Sequence, residues 1–418
     1  MNILVLNSGS SSLKFQIIDI NITAEGEIEA SYLAKGLVEN IGSYAQLTLH
    51  VRGRSKVRQS QPIKSHQIAI DTILKWLVSP QTAINSIQGL ADIHAVGHRV
   101  VHGGETFFKS ILIDKRVKSG IEKCMELAPL HNPANLKGID AISALLGSAI
   151  PQVAVFDTAF HSTLPEEAYL YGLPYQYYRR YKIRRYGFHG NSHRYIAYKY
   201  REIHSIESEQ VNIISLHLGN GCSACSIQEG KSVDTSMGFT PLDGLVMGTR
   251  SGDIDASILN YLHAKEGMDF DEIDHLLNKS SGLLGISGLT SDMRELLDEA
   301  NECNDRRAHL AIDIFCRNVR KYIAAYYVEA GGHVDAIVFT GGIGENSAQI
   351  RQKICQPLTA LGLHIDNDAN QQGITAAGYN DISTAKSTLK AFVIPTNEEF
   401  IIAVDTIREI KKPDKANF

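Results

Sequence analysis

Two stretches of this chain repeat one pattern: an apolar run, a short turn rich in small polar residues and glycine, and a second apolar run. The first reads NILVL, NSGSSS and LKFQIIDI from Asn2 onward, and the second reads NIISLHL, GNG and CSACSI from Asn212 onward. Each predicts two strands joined by a tight turn, a connection that Asn-Gly favours. The recurrence predicts an internal duplication with one copy in each of two domains, and 418 residues are enough for about two. We place the break near Pro151, giving domains 1–150 and 151–394, with residues from about 395 to 418 returning to the first. Helical periodicity is clear in Arg306–Ala330, where apolar residues recur every three and four positions. Helices are also expected over 193–204 and 398–411. The run DAIVFT leads into GGIGEN and then an amphipathic helix from about Ser347, a strand–glycine loop–helix unit. Strands alternate with helices throughout, which defines an α/β class. Only the tail Lys411–Phe418 reads as loose.

Composition narrows the function. A formal charge of −5 argues against a general nucleic-acid binder, which carries a basic surplus. No apolar run approaches the roughly 20 residues of a membrane span. The start lacks a basic segment and turns polar at Asn7, unlike a signal peptide. Six cysteines in a chain this long do not make a disulfide framework. Cys222 and Cys225 form a C-x-x-C with no second pair, so they are read as small buried thiols. A cytoplasmic location is expected.

Four clusters interleave charge with glycine or small residues: GHRVVHGGE from Gly97, DTAFH from Asp157, GFHGNSH from Gly187 and MGTRSGD from Met247. Glycine lets a ligand approach the backbone closely, and arginine grips carboxylate or phosphate through two parallel donors. Together they predict an enzyme that handles anions. No G-x-x-x-x-G-K-[ST] is present, and no G-x-G-x-x-G opens a helix after a strand. The donor-rich turns Asn7–Ser12 and Asn220–Ser226 are the remaining phosphate cradles.

NSGSSSLKF, GHRVVHGGE, DTAFH, RRYGFHGNSH, HLGNGCS, DTSMGFTPLDGLVMGTRSGDID, TGGIGENS and PTNEE occur in that order. The chain thereby resembles the acetokinase family, of the superfamily of sugar kinases, Hsp70 chaperones and actin, from residue 1 to about 405. Asn191, Cys222 and Asp243 depart from that family's usual threonine, alanine and glutamate. The resemblance implies two ribonuclease-H-like domains of the actin/hexokinase type with the active site in a cleft between them. It implies reversible, direct in-line transfer of a phosphoryl group from ATP to acetate, giving acetyl phosphate and ADP. Magnesium, with manganese as a substitute, is the implied metal, and a homodimer the implied assembly. A propionate or other short-chain acyl kinase is the alternative.

Residue by residue, the resemblance assigns catalysis to Arg99, His131, Asp157, His189 and Arg250. It gives the acid Arg99 and a methyl pocket of Val101, Leu130, Phe188 and Pro241. The nucleotide falls to Ser10, Ser12 and Lys14, to His217, Leu218, Gly219, Asn220 and Gly221, to Asp292, Met293 and Arg294, and to Gly342, Ile343, Gly344, Glu345 and Asn346. The metal falls to Asn7 and Glu398. His98, His102 and His161 read as structural. The implied chemistry suits this set: acetate is ionised at neutral pH, so it needs no general base. The obstacle is an anion approaching a triphosphate, which positive groups and positioning overcome. An acyl phosphate hydrolyses readily, so closure that excludes water is expected.

Overall fold

The strand Asn2–Ser8 is buried on both faces almost along its whole length, and a strand of that kind has to lie inside a sheet. A computed structural model describes residues 1–23, 28–129 and 131–411. The chain divides into two units, Met1–Ala159 together with residues from Asn397 on, and Phe160–Thr396.

The first unit contains β1 (Asn2–Ser8), β2 (Leu13–Ile22), β3 (Ile28–Glu39), β4 (Tyr44–Val51), β5 (Val57–Pro62), β6 (Ala95–Val100), β7 (Ile111–Leu112) and β8 (Gln152–Phe156). They form one sheet in the order β5-β4-β3-β2-β1-β6-β8-β7. β1 runs antiparallel to β2 and parallel to β6, and β8 extends the parallel side. On one face Leu4, Leu6 and Phe15 meet Ile70, Ile73, Leu74 and Leu77 of helix His66–Leu77. On the other, Ile3, Val5, Ala95 and Val155 meet Ile402, Ala403 and Ile407 of helix Glu398–Lys411. Gly97 permits that contact: a Cβ there would sit 2.4 Å from Thr406 Oγ1 and 2.6 Å from Ile402 Cγ2. The expected break near Pro151 lies just before β8, which pairs within this sheet.

The second unit contains β9 (Ile213–Leu218), β10 (Cys222–Gln228), β11 (Lys231–Thr235), β12 (Ala336–Thr340), β13 (Asn380–Asp381) and β14 (Lys390–Val393). Their order is β11-β10-β9-β12-β14-β13. Helix Gly190–His204 packs Ile196, Ala197 and Tyr200 onto Ile213, Cys225 and Val338, and helix Arg306–Glu329 lies against β9 and β10. Reading across β3-β2-β1-β6-β8 and across β11-β10-β9-β12-β14 gives the same succession of two antiparallel and two parallel pairings. The two strand–turn–strand repeats are thus equivalent parts of two ribonuclease-H-like sheets.

Two expectations change. GGIGEN is not a loop but the helix Gly341–Asn346, followed at once by helix Ala348–Cys355 with Ser347 as its cap. The glycines hid it, since glycine is a poor helix former, whereas Gly341 at φ 76° supplies the left-handed entry. The helix expected at 193 begins at Gly190. The loose tail expected from Lys411 lies outside the described residues beyond that position.

Candidate active site

In the first unit the carboxyl ends of the parallel strands bring three predicted residues together. Asn7 on β1 stands opposite Arg99 on β6, and Asp157 follows β8 directly. Arg99 donates from Nε to Asp157 Oδ1 at 3.1 Å and from Nη2 to Asp157 Oδ2, a fork-to-fork pair. It also donates from Nη1 to Asn7 Oδ1 at 3.1 Å. Glu398, at the first turn of the last helix, lies 3.7 Å from Arg99 Nε. Burial alone would weaken the guanidinium's hold on its proton, but Asp157 and Glu398 outweigh it and raise the Arg99 pKa. Burial pushes the Glu398 carboxyl up to about 7; Arg99 opposes this, while Asp157 and Glu399 add to it. Lys14, opposite Asn7 on β2, pairs with Glu399 at 2.5 Å. Asp157 is fully buried and anchors Arg99, a poor arrangement for a proton-accepting base.

The loop after β6 is held by helix Asn132–Leu146. Asn135 Oδ1 accepts from the backbone N–H of Val101, and Asn132 Oδ1 from that of His102. Neither asparagine was expected to matter, although two amides three residues apart at a helix start can grip a neighbouring strand end. His131 occupies the position before that helix and makes no side-chain cap to it. Val101 is 7% exposed. Leu130 lies outside the described residues.

In the second unit the turn between β9 and β10 serves two neighbourhoods. Gly219 and Asn220 line a cavity of about 760 Å³, together with Asp292, Met293, Arg294, Gly342, Ile343 and Asn346. Its size falls in the range of small-molecule sites, about 300–1,000 Å³. At Gly221 a Cβ would lie 3.5 Å from both Arg250 Nη1 and the His189 ring. His189 precedes helix Gly190–His204 with a left-handed backbone, φ 56°, a conformation uncommon outside glycine and concentrated at functional sites. Its ring approaches Ser223 Oγ at 2.9 Å and packs against the tilted ring of His217 at 4.2 Å between centroids. Arg250 donates to the Pro241 carbonyl at 3.3 Å and meets Met247 Sδ at 3.6 Å. Among the described residues it pairs with no carboxylate, and burial lowers its pKa. One arginine is held by acids, and the other is held only by neutral acceptors.

These arrangements can be set against known proteins. The model of the acetokinase family matches residues 2–404. The chain belongs to the acetokinase family. An acetate kinase from Chloroherpeton thalassium is 56% identical over 419 residues, covering 99% of this chain and 100% of that protein. The crystal structure of the Porphyromonas gingivalis acetate kinase is 42% identical, with a TM-score of 0.89 over 98% of this chain and 100% of that one. A propionate kinase structure from Francisella tularensis is 43% identical, with a TM-score of 0.87 over 97% and 99% of the two chains.

Within this acetokinase the remaining assignments separate. Gly342, Ile343 and Asn346 face the cavity, whereas Gly344 and Glu345 do not line it. Gly344, two positions past Gly342, falls on the opposite side of the helix. Glu345 Oε1 instead accepts from the backbone N–H groups of Gly341 and Thr396. Leu218 is fully buried, and His217 bonds Ser192, so neither lines the cavity. Ser10 is exposed on the first turn, and the Ser12 carbonyl accepts from Gly9. Sequence reasoning missed Ser291, Leu297, Asp298, Asn301, Ser347 and Gln349 on the cavity wall. The spacing 294, 297, 298, 301 is one helical face, a signal present in the sequence but indistinguishable there from a packing stripe.

Phe188 is buried and its carbonyl lies 3.0 Å from His161 Nε2, which gives His161 its structural place. His98 is buried against Gln152, and burial lowers its pKa to about 4. His102 is also buried, with a pKa lowered to about 4 by burial and by His131. Cys222 and Cys225 are fully buried free thiols, and burial pushes Cys222 up to about 12. No helix among the described residues is long and apolar enough to cross a membrane.

The oxygen donors Asn7, Asp157 and Glu398 around Arg99 are of the kind a hard divalent cation takes. Among the described residues no group of three His, Cys, Asp or Glu forms a closed cage. Magnesium commonly lacks one, keeping several waters and binding through one or two carboxylates and substrate phosphates.

Proposed function

We propose that this acetokinase is an acetate kinase, which transfers the terminal phosphoryl group of ATP to acetate and returns it from acetyl phosphate to ADP. The observation that carries the reading is Arg250. It is a partly buried guanidinium without a carboxylate partner among the described residues, beside His189 and beside the turn whose other residues wall a nucleotide-sized cavity. Such a group awaits an anion.

The nucleotide base and ribose occupy the cavity between Asn220, Arg294 and Ile343. Arg250 and His189 receive the phosphoryl group as charge spreads over its equatorial oxygens, the usual demand of this chemistry. Arg99, oriented by Asp157, holds the carboxylate of acetate, with Val101 against its methyl group. Asp157 works through Arg99 and abstracts no proton. Asn7 and Glu398 are the residues that would hold magnesium, which when bound neutralises the β- and γ-phosphates. The homodimer and the cytoplasmic location belong to this reading on the strength of the family resemblance.

The propionate kinase at 43% identity favours a second substrate. One methylene is worth only about 1–3 kcal/mol in a pocket, so the two acids are expected to differ in kcat/KM rather than in acceptance. Trapping the acyl phosphate with hydroxylamine, with ATP, magnesium and each of acetate, propionate and butyrate, tests both. No hydroxamate from any acid would end the proposal, and a higher kcat/KM for propionate would transfer it to the second reading.

A further inference from the structure

Glu345 sits in the helix that walls the nucleotide cavity, yet its side chain turns away from it. Its Oε1 accepts from the backbone N–H of Gly341 at 3.0 Å, from the N–H of Thr396 at 3.0 Å and from Thr340 Oγ1 at 3.3 Å. Among the described residues it forms no ion pair. One oxygen therefore ties the entry of the cavity helix to the last residue of the second unit before the chain leaves it.

Thr396 carries the connection further. Its hydroxyl lies 2.8 Å from Ser192 Oγ, and Ser192 Oγ lies 2.8 Å from His217 Nδ1. The His217 ring packs against that of His189, 4.2 Å between centroids and tilted by 31°. Ser192 is fully buried, so water does not compete with these bonds. Arg351 closes the opposite end of the same helix, donating from Nη1 to the carbonyls of Gly344 and Glu345. The cavity helix is thus fixed at both ends by side chains that touch no nucleotide-facing atom.

We propose that Glu345 is a positioning residue for phosphoryl transfer, setting the cavity helix in register with His189 through Thr396, Ser192 and His217. The inference rests on the acetate kinase reading, in which the helix holds ATP and His189 meets its terminal phosphoryl group. A displacement of about 1 Å in such a site can lower a rate by on the order of 10²-fold. Residues acting through one network give non-additive effects, which independent residues do not.

The test is a double-mutant cycle in the full-length enzyme, with kcat and KM measured separately for acetate and for ATP. Glu345→Ala is expected to lower kcat by on the order of 10–10²-fold with KM for acetate nearly unchanged. Glu345→Gln keeps an acceptor oxygen for all three donors and should restore most of the rate. Ser192→Ala should lower kcat as well, and the double variant should be no worse than the weaker single. Multiplicative effects, a Gln variant as slow as Ala, or a loss confined to KM for ATP would each overturn the inference. If Glu345→Ala does not fold, Thr396→Val with Ser192→Ala supplies the same cycle. A wild-type enzyme that makes no acyl phosphate would instead remove the underlying functional reading.

Discussion

Arg99 and Arg250 are the same residue in opposite circumstances. Arg99 is forked onto buried Asp157, with Glu398 nearby, so its charge is largely answered within the protein. Among the described residues Arg250 has only a carbonyl and a thioether as partners, and its charge is unanswered until an anion arrives. Arg250→Ala is accordingly expected to leave a folded protein that binds ATP and loses about 10³–10⁵ in kcat, the range for a transition-state arginine in phosphoryl transfer. Calorimetric titration with ATP and steady-state rates check it, and retention of more than a tenth of the activity would remove its role. A second residue carries a pH signature. Burial, its largest cause, raises the Asp234 carboxyl to about 6, while Arg185 and the Thr235 N–H pull it down. The folded state then holds a proton that the unfolded chain releases at lower pH, so this contribution is complete below about 4 and is lost as pH rises through about 6. Asp234→Asn keeps the acceptor for Thr235 and removes the titration. The stability difference, wild type minus variant, should fall across that window by up to about 1.4 kcal/mol per pH unit; parallel curves of urea unfolding against pH would refute it.

At the level of elements, close approach decides more than propensity. Gly97 lets the last helix lie on β6, and a methyl group there meets Thr406 and Ile402. Gly97→Ala should destabilise the protein by about 1–3 kcal/mol, as over-packing does, and should weaken the magnesium response because Glu398 opens that helix. Urea unfolding and magnesium titration of activity read both effects, and an unchanged midpoint would mean that the helix shifts at no cost. The sequence made the strands legible, since NILVL and DAIVFT are buried runs bounded by turns. It also offered Arg99, Asp157, His189 and Arg250 as candidates, because charge among glycines or small residues stands out. It hid the helix of Gly341–Asn346, whose glycines mimic a loop. Asn132 and Asn135 also escaped notice, since their bonds go to the backbone of the loop after β6, 30 and 34 positions away, a separation that no periodicity records.

Across the whole molecule, the second unit is an insertion within the first. The chain leaves the first sheet after Ala159 and returns to it at Asn397, and the returning helix covers Ile3, Val5, Ala95 and Val155. Deleting residues from Asn397 should therefore strip one face from the first sheet and leave the second unit's packing intact. Hydrogen exchange should show protection lost in β1 and β6 and kept in β9 and β12; equal loss in both sheets would mean that they fold as one cooperative unit. The same topology bears on synthesis. Domains usually complete in the order in which they leave the ribosome. Here the strands made first wait for the residues made last, so the second unit can finish while the first still exposes an apolar face to chaperones and proteases.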